Sequence, residues 1–514
     1  MSPFALISVS DKTNIIPFAK NLVEKFNYRI LSSGGTAEYL HKSNIPVIKV
    51  SDFTKSPEIL EGRVKTLHPK IHGGILAKRS DKNHINDLAV NDFEFIDLVV
   101  VNLYPFQQKI KDNCDWDEAI ENIDIGGPSM IRSAAKNHKD VSVLIDPNQY
   151  DHFLRELEKG KLSDQFRTKL AYEAFQHTAN YDVAISNWMS KEKKLEQKYH
   201  LDTNQLIQTL RYGENPHQKA NWYGSYDEGW KNAKQLQGKE LSYNNLLDLE
   251  SALSTVLEFN KNKSELSSNA AIILKHNNPC GAAISSSIED AFKKALACDP
   301  ISAFGGIVAL NNIVDIDTAK QLSNIFLECV VAPSFSQEAL DILKNKKNLR
   351  LLELDLKNIN YKNQSSYKSI LGGLLIQESD NIEDNSHEWE LVTNKKPTEE
   401  ELNNLDFAWK ICKHVKSNAI VISKGLQTIG IGAGQMNRVG AARIALESAK
   451  NNSKGGSLAS DGFFPFADSV EIANKYGIKS IIQPGGSVRD QESVDMCNKL
   501  DISMIFTNRR HFLH

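Results

Sequence analysis

The stretch FALISVSDK, Phe4–Lys12, decides the fold, because an apolar, β-prone run ends there in polar residues ahead of a helix-like segment. Comparable runs recur along the chain and predict strands at Phe4–Ser10, Ile96–Asn102, Val141–Ile145, Ala270–Lys275, Ile307–Leu310, Ile420–Ser423, Ile478–Gln483 and Ile502–Thr507. Between them, segments such as Asn14–Phe26 and Ala441–Ala449 carry apolar residues at helical spacing. This alternation predicts an α/β fold with largely parallel sheets.

Composition excludes several classes of function. The chain has 514 residues, 61 Lys and Arg against 64 Asp and Glu, and a formal net charge of −3. Near neutrality argues against a general nucleic-acid binder, and the length suggests about three domains. Six cysteines without a CxxC pair are typical of a reduced protein. No signal-peptide pattern and no apolar run of roughly 18 residues is present. We therefore expect a cytoplasmic protein with neither a nucleic-acid nor a membrane partner.

Two polar segments are candidate connectors. Ser190–His200 is rich in lysine and glutamate, which fits either a solvated helix face or a linker. Glu378–Pro397 is polar and acidic, which fits a loop between two halves of a larger second unit. These segments predict a first unit of about 195 residues and a bilobed second unit of about 315. We find no repeat period.

The first two strand ends carry features that suit a phosphate. Ser10 is a good candidate N-cap for the next helix, and Lys12 adds a cation beside it. Ser33-Gly34-Gly35-Thr36 is a glycine-rich turn that feeds a helix, although a simple tight turn explains it equally well. Ligands bind at the carboxyl ends of strands in such sheets, so two consecutive features favour an anion site.

A basic loop follows in the segment from Glu61 to Gly74. Arg63 and Lys65 lie in backbone that we expect to be irregular, and an ordinary surface loop is the alternative. His68 and His72 are four residues apart, as in some zinc-binding helices. Pro69 stands where the metalloprotease pattern needs glutamate, so zinc is disfavoured.

Further polar residues follow the next predicted strand. Asn102 and Tyr104 stand at its end, and Asp124 precedes a glycine pair and a predicted helix that carries Arg132 and Lys136. Solvated surface is the alternative for the two cations. A carboxylate, a phenol and lysines can together perform acid–base chemistry and stabilise an oxyanion without a metal.

The second unit contains four notable segments. Lys275-His276 ends a predicted buried strand, which suggests proton transfer, and Pro279-Cys280 lacks the second cysteine of a zinc deaminase because position 283 is alanine. The glycine-rich run 429–438 has Gln435 where a dinucleotide fingerprint needs glycine, so NAD is disfavoured. The run 461–468 is aromatic and fits either the core or a loop wall. The basic tail 507–514 on its own is typical of a frayed terminus.

Taken in order, ten motifs resemble the family of bifunctional purine-biosynthesis enzymes that join AICAR transformylase to IMP cyclohydrolase. They are SGGT, RVKTLHPKIHGGIL, NLYPF, IDIGGPSMIRSAAKNH, LRYGENPHQ, LKHNNPCG, GIGAGQMNR, DGFFPF, QPGGS and TNRRHF, and they span nearly the whole chain. The resemblance implies a methylglyoxal-synthase-like, Rossmann-type domain at 1–195. It also implies a transformylase unit of two cytidine-deaminase-like lobes at 196–380 and 381–514, and a homodimer.

The resemblance also implies the chemistry of each unit. The second unit would transfer formyl from 10-formyltetrahydrofolate to AICAR, and the first would cyclise formyl-AICAR to IMP with loss of water. Neither step needs zinc or NAD, and a monovalent cation is left open.

For cyclisation, the implied catalytic residues are Lys65, Tyr104, Asp124 and Lys136. Lys65 and Tyr104 would stabilise charge on the formyl oxygen, and Asp124, with Lys136 nearby, would take the carboxamide proton. The implied substrate-binding residues are Ser10, Lys12, Ser33, Gly35, Thr36, Arg63, Thr66, Asn102 and Gly126.

For formyl transfer, the implied catalytic pair is Lys275 and His276. The implied substrate contacts are Arg211, Tyr212, Asn245, Asn418, Arg438, Phe463, Arg510 and His514. The implied folate wall is Pro465, Phe466, Asp468 and Ser487. Leu513 stands where some relatives have a second histidine, which leaves the contacts of the tail open.

Two other classes of function compete with this hypothesis. A nucleotide-binding regulator would keep the pockets and lack turnover, and a single-activity enzyme would have one inert unit. An assay with formyl-AICAR alone separates the latter from the bifunctional reading.

Overall fold

The computed structural model describes residues 2–196, 198–200, 204–224, 229–259, 269–359, 365–382 and 384–514. The chain divides into two units, Met1–Thr203 and Asn204–His514. The limits 1–195, 196–380 and 381–514 of the three domains stay a prediction. Across the part of the chain that is described, no helix combines the length and apolar character needed to cross a membrane.

The first unit is built on one parallel sheet. Its strands are β1 (Phe4–Val9), β2 (Arg29–Ser32), β3 (Val47–Lys49), β4 (Leu98–Asn102) and β5 (Ser142–Leu144). The strand order is β3-β2-β1-β4-β5, and every pair is parallel. The order turns back at β1, which creates a crevice at the carboxyl ends of the central strands. The predicted Rossmann-type α/β domain is confirmed.

Ten helices of the first unit connect and flank this sheet. They are α1 (Ile15–Glu24), α2 (Gly34–Lys42), α3 (Val50–Thr54), α4 (Pro69–Leu76), α5 (Lys82–Val90), α6 (Phe106–Lys111), α7 (Trp116–Glu121), α8 (Gly126–Lys136), α9 (Tyr150–Glu158) and α10 (Asp164–Lys193). Residues 4–7 of β1 and 98–101 of β4 are fully or almost fully buried on both faces. A strand covered on both sides cannot alternate in polarity, which explains the continuous apolar runs of the sequence.

Two local expectations in this unit are wrong. Ser10 is not a helix N-cap, because α1 begins only after Asn14, a residue with φ of 56°. The segment after Arg63 is not irregular throughout, because Pro69 occupies the first turn of α4 and His68 caps it by accepting a hydrogen bond from the Lys70 N–H. Proline suits that position since its missing N–H has no partner in a first turn.

The second unit begins with a hairpin and a six-stranded sheet. Its strands are β6 (Gln205–Leu210), β7 (Ala220–Gly224), β8 (Lys234–Gln237), β9 (Asn269–Lys275), β10 (Asn278–Ser285), β11 (Gly306–Leu310), β12 (Leu327–Ala332) and β13 (Arg350–Glu353). Its helices are α11 (Tyr243–Leu257), α12 (Ile288–Cys298), α13 (Ile316–Ser323) and α14 (Gln337–Leu343). The sheet has the order β10-β9-β11-β12-β13-β8. We call this sheet with its four helices the first lobe.

A second hairpin and a second six-stranded sheet follow. The strands are β14 (Ser365–Ile370), β15 (Gly373–Glu378), β16 (Glu390–Leu391), β17 (Ile420–Ser423), β18 (Thr428–Gly432), β19 (Ser457–Ser460), β20 (Ser480–Gln483) and β21 (Ser503–Phe506). The helices are α15 (Glu399–Cys412), α16 (Arg438–Ala449), α17 (Asp468–Lys475) and α18 (Asp490–Lys499). The sheet has the order β18-β17-β19-β20-β21-β16. We call this sheet with its four helices the second lobe.

The two lobes repeat one topology. In both, an antiparallel hairpin is followed by two parallel pairings and closed by an antiparallel edge strand. The two lobes thus share a fold, as the resemblance implies, although the sequence has no repeat period. A backbone path depends on burial pattern and turn positions, so two segments can share it without a visible sequence period.

Glycines allow the hairpin helices to lie directly on their strands. A Cβ atom built on Gly281 would lie 2.0 Å from Ala295 O, and one built on Gly432 would lie 2.0 Å from Ala441 O. A side chain at either position would therefore push the helix off the sheet. The glycine-rich run 429–438 is thus explained by close packing of α16 on β18.

Both predicted connectors contain regular structure. Helix α10 continues to Lys193, inside the charged segment Ser190–His200, of which position 197 lies outside the described residues. The segment Glu378–Pro397, of which position 383 lies outside them, contains edge strand β16, which pairs with β21. The polar composition of this segment does not predict a strand, because an edge strand faces solvent and can consist of polar residues.

Candidate active sites

The carboxyl ends of β1 and β4 are joined by the side chain of Asn102. Its Oδ1 accepts hydrogen bonds from the backbone N–H groups of Ser10, at 2.6 Å, and Asp11, at 2.9 Å. Its Nδ2 donates to Asp11 O at 3.0 Å. The amide of Asn102 therefore shapes the β1–α1 loop, which carries Ser10 and Lys12 at the mouth of the crevice.

The N-terminus of α2 lies beside the same crevice. The Thr36 hydroxyl accepts from Val9 N–H at 3.1 Å and donates to Val9 O at 3.0 Å, which ties the helix to β1. This hydroxyl is committed to the backbone, so Thr36 offers a ligand its N–H. A Cβ atom built on Gly35 meets nothing within 4 Å, which leaves open space above this turn. First-turn N–H groups next to open space are suited to a phosphate.

Lys65 approaches this helix N-terminus from the preceding loop. A Cβ atom built on Gly34, whose φ is +52°, would lie 3.1 Å from Lys65 Nζ. Lys65 Nζ also lies 3.3 Å from Glu58 Oε2. Arg63 forms an ion pair with Glu121 of α7. Both cations of the basic loop are thus held by carboxylates that the sequence analysis did not single out.

Asp124 occupies the N-terminus of α8 next to Tyr104. Its Oδ1 accepts from Gly127 N–H at 2.8 Å, and its own N–H donates to Tyr181 OH at 2.9 Å. Burial raises the pKa of Asp124, against the opposing effect of hydrogen bonds from the Gly127, Tyr104 and Gly126 backbones. A carboxylate with a raised pKa is a better proton acceptor.

Thr66 completes this side of the crevice. A Cβ atom built on Gly126 would lie 2.9 Å from Thr66 Oγ1, and Thr66 is buried. The predicted group of Thr66, Tyr104, Asp124 and Gly126 is therefore adjacent in the structure.

Lys136 lies at the opposite end of α8 from Asp124. It is the last residue of α8, whereas Asp124 precedes the first residue. The rise from Gly126 to Lys136, the first and last residues of α8, is about 15 Å along the helix axis. The helix therefore separates the backbones of Asp124 and Lys136, and the role of Lys136 beside Asp124 stays a prediction.

In the second unit, Lys275 is the last residue of β9, and its ammonium group contacts the residues just before β11. Lys275 Nζ donates to Phe304 O at 3.0 Å and to Gly305 O at 2.9 Å. His276 and Asn277 follow as a two-residue turn, with φ values of 51° and 58°, that leads into β10.

A buried ion pair lies next to Asn418 and contacts its side chain. Arg438 forms an ion pair with Asp461 and donates to Ser460 Oγ at 2.9 Å and to Asn418 Oδ1 at 2.8 Å. Arg438 is 6% exposed and Asp461 is 0% exposed. The guanidinium of Arg438 therefore holds the amide of Asn418, which also donates to Gln435 O at 2.7 Å.

The C-terminal tail is docked against this cluster. Ser417 N–H donates to Leu513 O at 2.9 Å, and Ser417 Oγ accepts from Leu513 N–H at 3.1 Å. Lys416 Nζ donates to His514 O at 2.8 Å, and Lys416 N–H donates to Asn278 Oδ1 at 3.0 Å. The reading of a frayed tail is wrong, because hydrogen bonds hold Leu513 and His514 at Ser417 and Lys416. Lys416 in turn binds Asn278 of the hairpin that carries Lys275 and His276.

The loop after β6, which carries Arg211 and Tyr212, contacts the first turn of α11, which carries Asn245. The Arg211 guanidinium lies 5.5 Å from the centre of the Tyr212 ring at the end of β6. Asn244 Nδ2 donates to Glu214 O at 3.3 Å, which brings this loop to the first turn of α11. Asn245 is 7% exposed and shares a capping box with Ser242.

The predicted folate residues lie on loops that follow β19 and β20. These strands are parallel neighbours, so their carboxyl ends meet. Phe466 is 49% exposed, and the Arg489 guanidinium lies 4.9 Å from its ring centre. Ser487 Oγ accepts from Arg489 N–H at 3.1 Å. The two loops, with Pro465 on the first and Asp468 at the start of the helix that follows it, therefore form one wall.

The aromatic run is divided between two roles. Phe464 is fully buried in the core, whereas Phe463 is 41% exposed beside the Asp461 cluster. Arg510 is exposed and lies 4.7 Å from the Phe512 ring centre. Among the described contacts none joins Arg510 to Arg211, so the two predicted phosphate ligands are not brought together by direct contact.

His511 is the most strongly perturbed histidine of this region. It is 3% exposed, and its ring lies between Asp380 Oδ2 at 2.6 Å and Asp384 Oδ2 at 3.0 Å. Burial alone would lower its pKa, but the hydrogen bonds and charges of the two carboxylates outweigh burial and raise the pKa of His511 to about 9. Both ring nitrogens can then donate, which anchors the tail to the segment before β16.

This arrangement makes stability depend on pH. Because the pKa of His511 rises from 6.5 to about 9 on folding, its contribution is complete below pH 6.5 and is lost as the pH rises through 9. Urea unfolding midpoints should therefore fall between pH 7 and pH 10, and His511→Asn should remove much of that fall. His41→Asn, at an exposed site of α2, is the control. An unchanged pH dependence in His511→Asn would contradict the prediction.

Histidines of the basic loop have other partners. His72 Nδ1 lies 3.0 Å from Ser133 Oγ, and burial lowers the pKa of His72. Within the described ranges, no three His, Cys, Asp or Glu side chains are grouped as a metal site requires.

A parallel sheet with a polar crevice, joined to a unit of two repeated lobes with a separate polar cluster, defines an α/β enzyme with two sites. Comparison with known proteins agrees with this class. Residues 14–129 match the model of the MGS-like domain, and residues 134–448 match that of the AICARFT/IMPCHase bienzyme.

Curated relatives match along their full length. The chain is 67% identical to the bifunctional purine biosynthesis protein PurH of Prochlorococcus marinus strain MIT 9515, and 58% identical to that of strain MIT 9211, over 100% of each chain. A solved structure described as ForH matches 37% of the chain at 34% identity with a TM-score of 0.33, too low to bear on the fold. The chain belongs to the AICARFT/IMPCHase bienzyme family of bifunctional purine-biosynthesis enzymes, which combine formyltransferase and IMP cyclohydrolase activities.

Proposed function

We propose that the crevice of the first unit, within residues 1–195, cyclises formyl-AICAR to IMP. The second unit, with lobes within 196–380 and 381–514, transfers formyl from 10-formyltetrahydrofolate to AICAR. The observation that carries this proposal is the presence of two separate polar clusters. In the first unit, Asp124 accepts a hydrogen bond from the Tyr104 backbone, and Lys65 lies at the start of α2. In the second unit, His276 directly follows Lys275 at the end of β9.

In the first unit, the turn at α2 and the loop at Ser10 hold the phosphate and ribose, with Lys12 as a cation. Asp124 accepts a proton from the carboxamide nitrogen as this nitrogen attacks the formyl carbon. Lys65 and Tyr104 donate to the formyl oxygen, which becomes a hydroxyl and leaves as water after further proton transfer. Holding the two reacting groups in one conformation supplies much of the acceleration.

In the second unit, the amine of AICAR is a weak nucleophile because its lone pair is delocalised into the ring. His276 accepts the amine proton as the nitrogen attacks the formyl carbon. Lys275 stabilises the tetrahedral oxyanion and helps to protonate the departing folate nitrogen. Asn418, Asn245, Tyr212 and the tail position the nucleotide, and Arg438 acts on it through Asn418.

The direct test is to mix pure protein with AICAR and 10-formyltetrahydrofolate and to follow the products. We expect IMP, and we expect formyl-AICAR supplied alone to be converted to IMP as well. Absence of both IMP and formyl-AICAR from the first mixture would overturn the proposal. Tight nucleotide binding without turnover would instead favour a regulator.

We further propose that the protein works in the cytoplasm as a homodimer. The six cysteines are free thiols, which is typical of a reducing compartment. Hairpin β14–β15 is exposed at every residue of both strands and presents apolar side chains, including Leu371 at 105% and Leu375 at 55% exposure. An isolated two-stranded hairpin has little stability in water, so a second copy of the chain is the natural partner for this surface.

Disrupting this surface should dissociate the dimer. In Leu371→Glu/Leu375→Glu, each interface would have to bury four unpaired carboxylates, so sedimentation should report one chain in place of two. Lys368 of β14 lies near Lys416, because its charge adds to the effect of burial in lowering the pKa of Lys416. Lys416 contacts both His514 and Asn278, so the hairpin is close to the proposed site of formyl transfer. We therefore expect formyl transfer to fall at least about tenfold while cyclisation persists.

The matched control is Val90→Glu, which charges an equally exposed apolar residue of α5. It should remain a dimer with wild-type activity. A dimeric hairpin variant would contradict this location of the interface.

A further inference from the structure

The two lobes carry the same arrangement of a lysine at their hairpins. Lys275 Nζ donates to the carbonyls of Phe304 and Gly305, and Lys424 Nζ donates to Lys454 O at 2.8 Å. The acceptors lie just before β11 in the first lobe and just before β19 in the second. In both places a glycine with positive φ is at or next to the acceptor: Gly305 with 70° and Gly455 with 75°. Lys424 is therefore the counterpart of Lys275 in the second lobe.

The turns that follow these lysines also correspond. His276 and Asn277 have φ values of 51° and 58°, and Gly425 and Leu426 have values of 62° and 58°. Glycine thus stands in the second lobe where the first lobe has His276. The hairpin of the second lobe has the lysine and the turn but no histidine, so it serves as an internal control for the hairpin of the first lobe.

Each turn is held by a side chain from the preceding helix. Asn277 N–H donates to Asp248 Oδ1 of α11 at 2.7 Å, and Leu426 N–H donates to Asn404 Oδ1 of α15 at 2.9 Å. The Asn277 amide nitrogen, in the orientation that satisfies its neighbours, also lies 3.1 Å from Asp248 Oδ1. An uncharged asparagine therefore holds the turn in the second lobe, so holding the turn does not require the negative charge that the first lobe has.

Asp248 interacts electrostatically with the hairpin lysine and histidine. Burial raises the pKa of Asp248, whereas the Asn277 N–H and the positive charges of His276 and Lys275 oppose this rise. Cys329 of β12 also interacts with it; burial is the main reason that the pKa of this thiol rises to about 12, with a smaller contribution from Asp248. Asp248 thus interacts with the positive charges of both catalytic candidates, Lys275 and His276.

We propose that Asp248 is a positioning residue for formyl transfer, which holds the His276–Asn277 turn and stabilises the imidazolium formed when His276 accepts the amine proton. In that step the N–H bond of the AICAR amine breaks and a new N–H bond forms on the imidazole. A carboxylate that orients a histidine and stabilises its protonated form is an established device for general bases. This inference rests on the proposed function of Lys275 and His276.

The test replaces the carboxylate by the amide that the second lobe uses. Asp248→Asn keeps the acceptor for the turn and removes the charge, so the thermal unfolding midpoint should stay at the wild-type value. We expect kcat for formyl transfer to fall about tenfold with little change in KM, and the acid limb of the pH–rate profile to move to lower pH because a negative charge near the general base is lost. The matched control, Asn404→Asp in the second lobe, should keep wild-type kcat and pH profile.

The outcomes separate this inference from the function on which it rests. A wild-type kcat and pH profile in Asp248→Asn would overturn the inference, as would an equal loss of kcat in Asn404→Asp. If Asp248→Asn is less stable, the acid limb in Asp248→Glu decides: a wild-type limb supports the role of the charge and a shifted limb overturns it. Full formyl transfer in His276→Ala and Lys275→Ala would instead overturn the proposed function.

Discussion

Lys275→Ala is expected to lower formyl transfer by about 10³-fold and to leave cyclisation of supplied formyl-AICAR at the wild-type rate. Lys275 Nζ is held by Phe304 O and Gly305 O beside the His276 turn, so its charge is fixed before substrate binds. Removing it takes away both the oxyanion partner and the proton donor for the leaving nitrogen. Single-turnover assays with AICAR and 10-formyltetrahydrofolate measure the loss.

The matched control for this variant is Lys424→Ala. It removes a lysine that makes the same kind of hydrogen bond at the corresponding hairpin of the second lobe. Any effect of losing a structural hydrogen bond should appear in both variants, whereas loss of formyl transfer should appear only in Lys275→Ala. Equal losses in the two variants would assign Lys275 a structural role.

Lys65→Ala is expected to have the opposite specificity. Cyclisation should fall by about 10²- to 10³-fold, because one donor to the developing formyl oxyanion is lost, while formyl transfer stays at the wild-type rate. Lys65 Nζ lies over Gly34 at the start of α2, next to the proposed phosphate site. Following IMP formation from formyl-AICAR at saturating and limiting concentrations separates the loss in kcat from weaker binding.

Lys42→Ala is the control for Lys65→Ala, because Lys42 is an exposed lysine at the other end of α2. It should cyclise formyl-AICAR normally. Loss of both activities in folded Lys65→Ala, or in folded Lys275→Ala, would contradict the existence of two independent sites.

Much of the first site could be predicted because its parts are local in the chain. Ser33, Gly35 and Thr36 follow β2 directly, and Asn102 ends β4, so the pattern of an apolar run closed by polar residues locates them. The same pattern locates Lys275 and His276. The sequence analysis missed Asp248, Glu58 and Glu121 because none belongs to a motif. Asp248 and Glu121 also act on residues that are distant in sequence.

Some predicted ligands have a different immediate environment from the one that residue type suggests. Arg438 is a cation in a recognisable motif, yet Asp461 neutralises it in the core and its free edge holds Asn418. Lys136 is close to Asp124 in the motif but lies at the far end of α8. Sequence spacing cannot reveal either fact, because each depends on which elements pack together.

The amino-acid sequence by itself determined the alternation of strands and helices, the polar residues at strand ends and the family. These properties are local, since they follow from burial period, turn residues and motif composition. Tertiary structure alone decided which ends meet: Asn102 binds Ser10 across 92 residues, Asp248 binds Asn277 across 29, and Asn278 binds Lys416 across 138. It also gave the strand order that the two lobes share. Such contacts arise from packing whole elements against one another, and no short stretch of sequence specifies that packing.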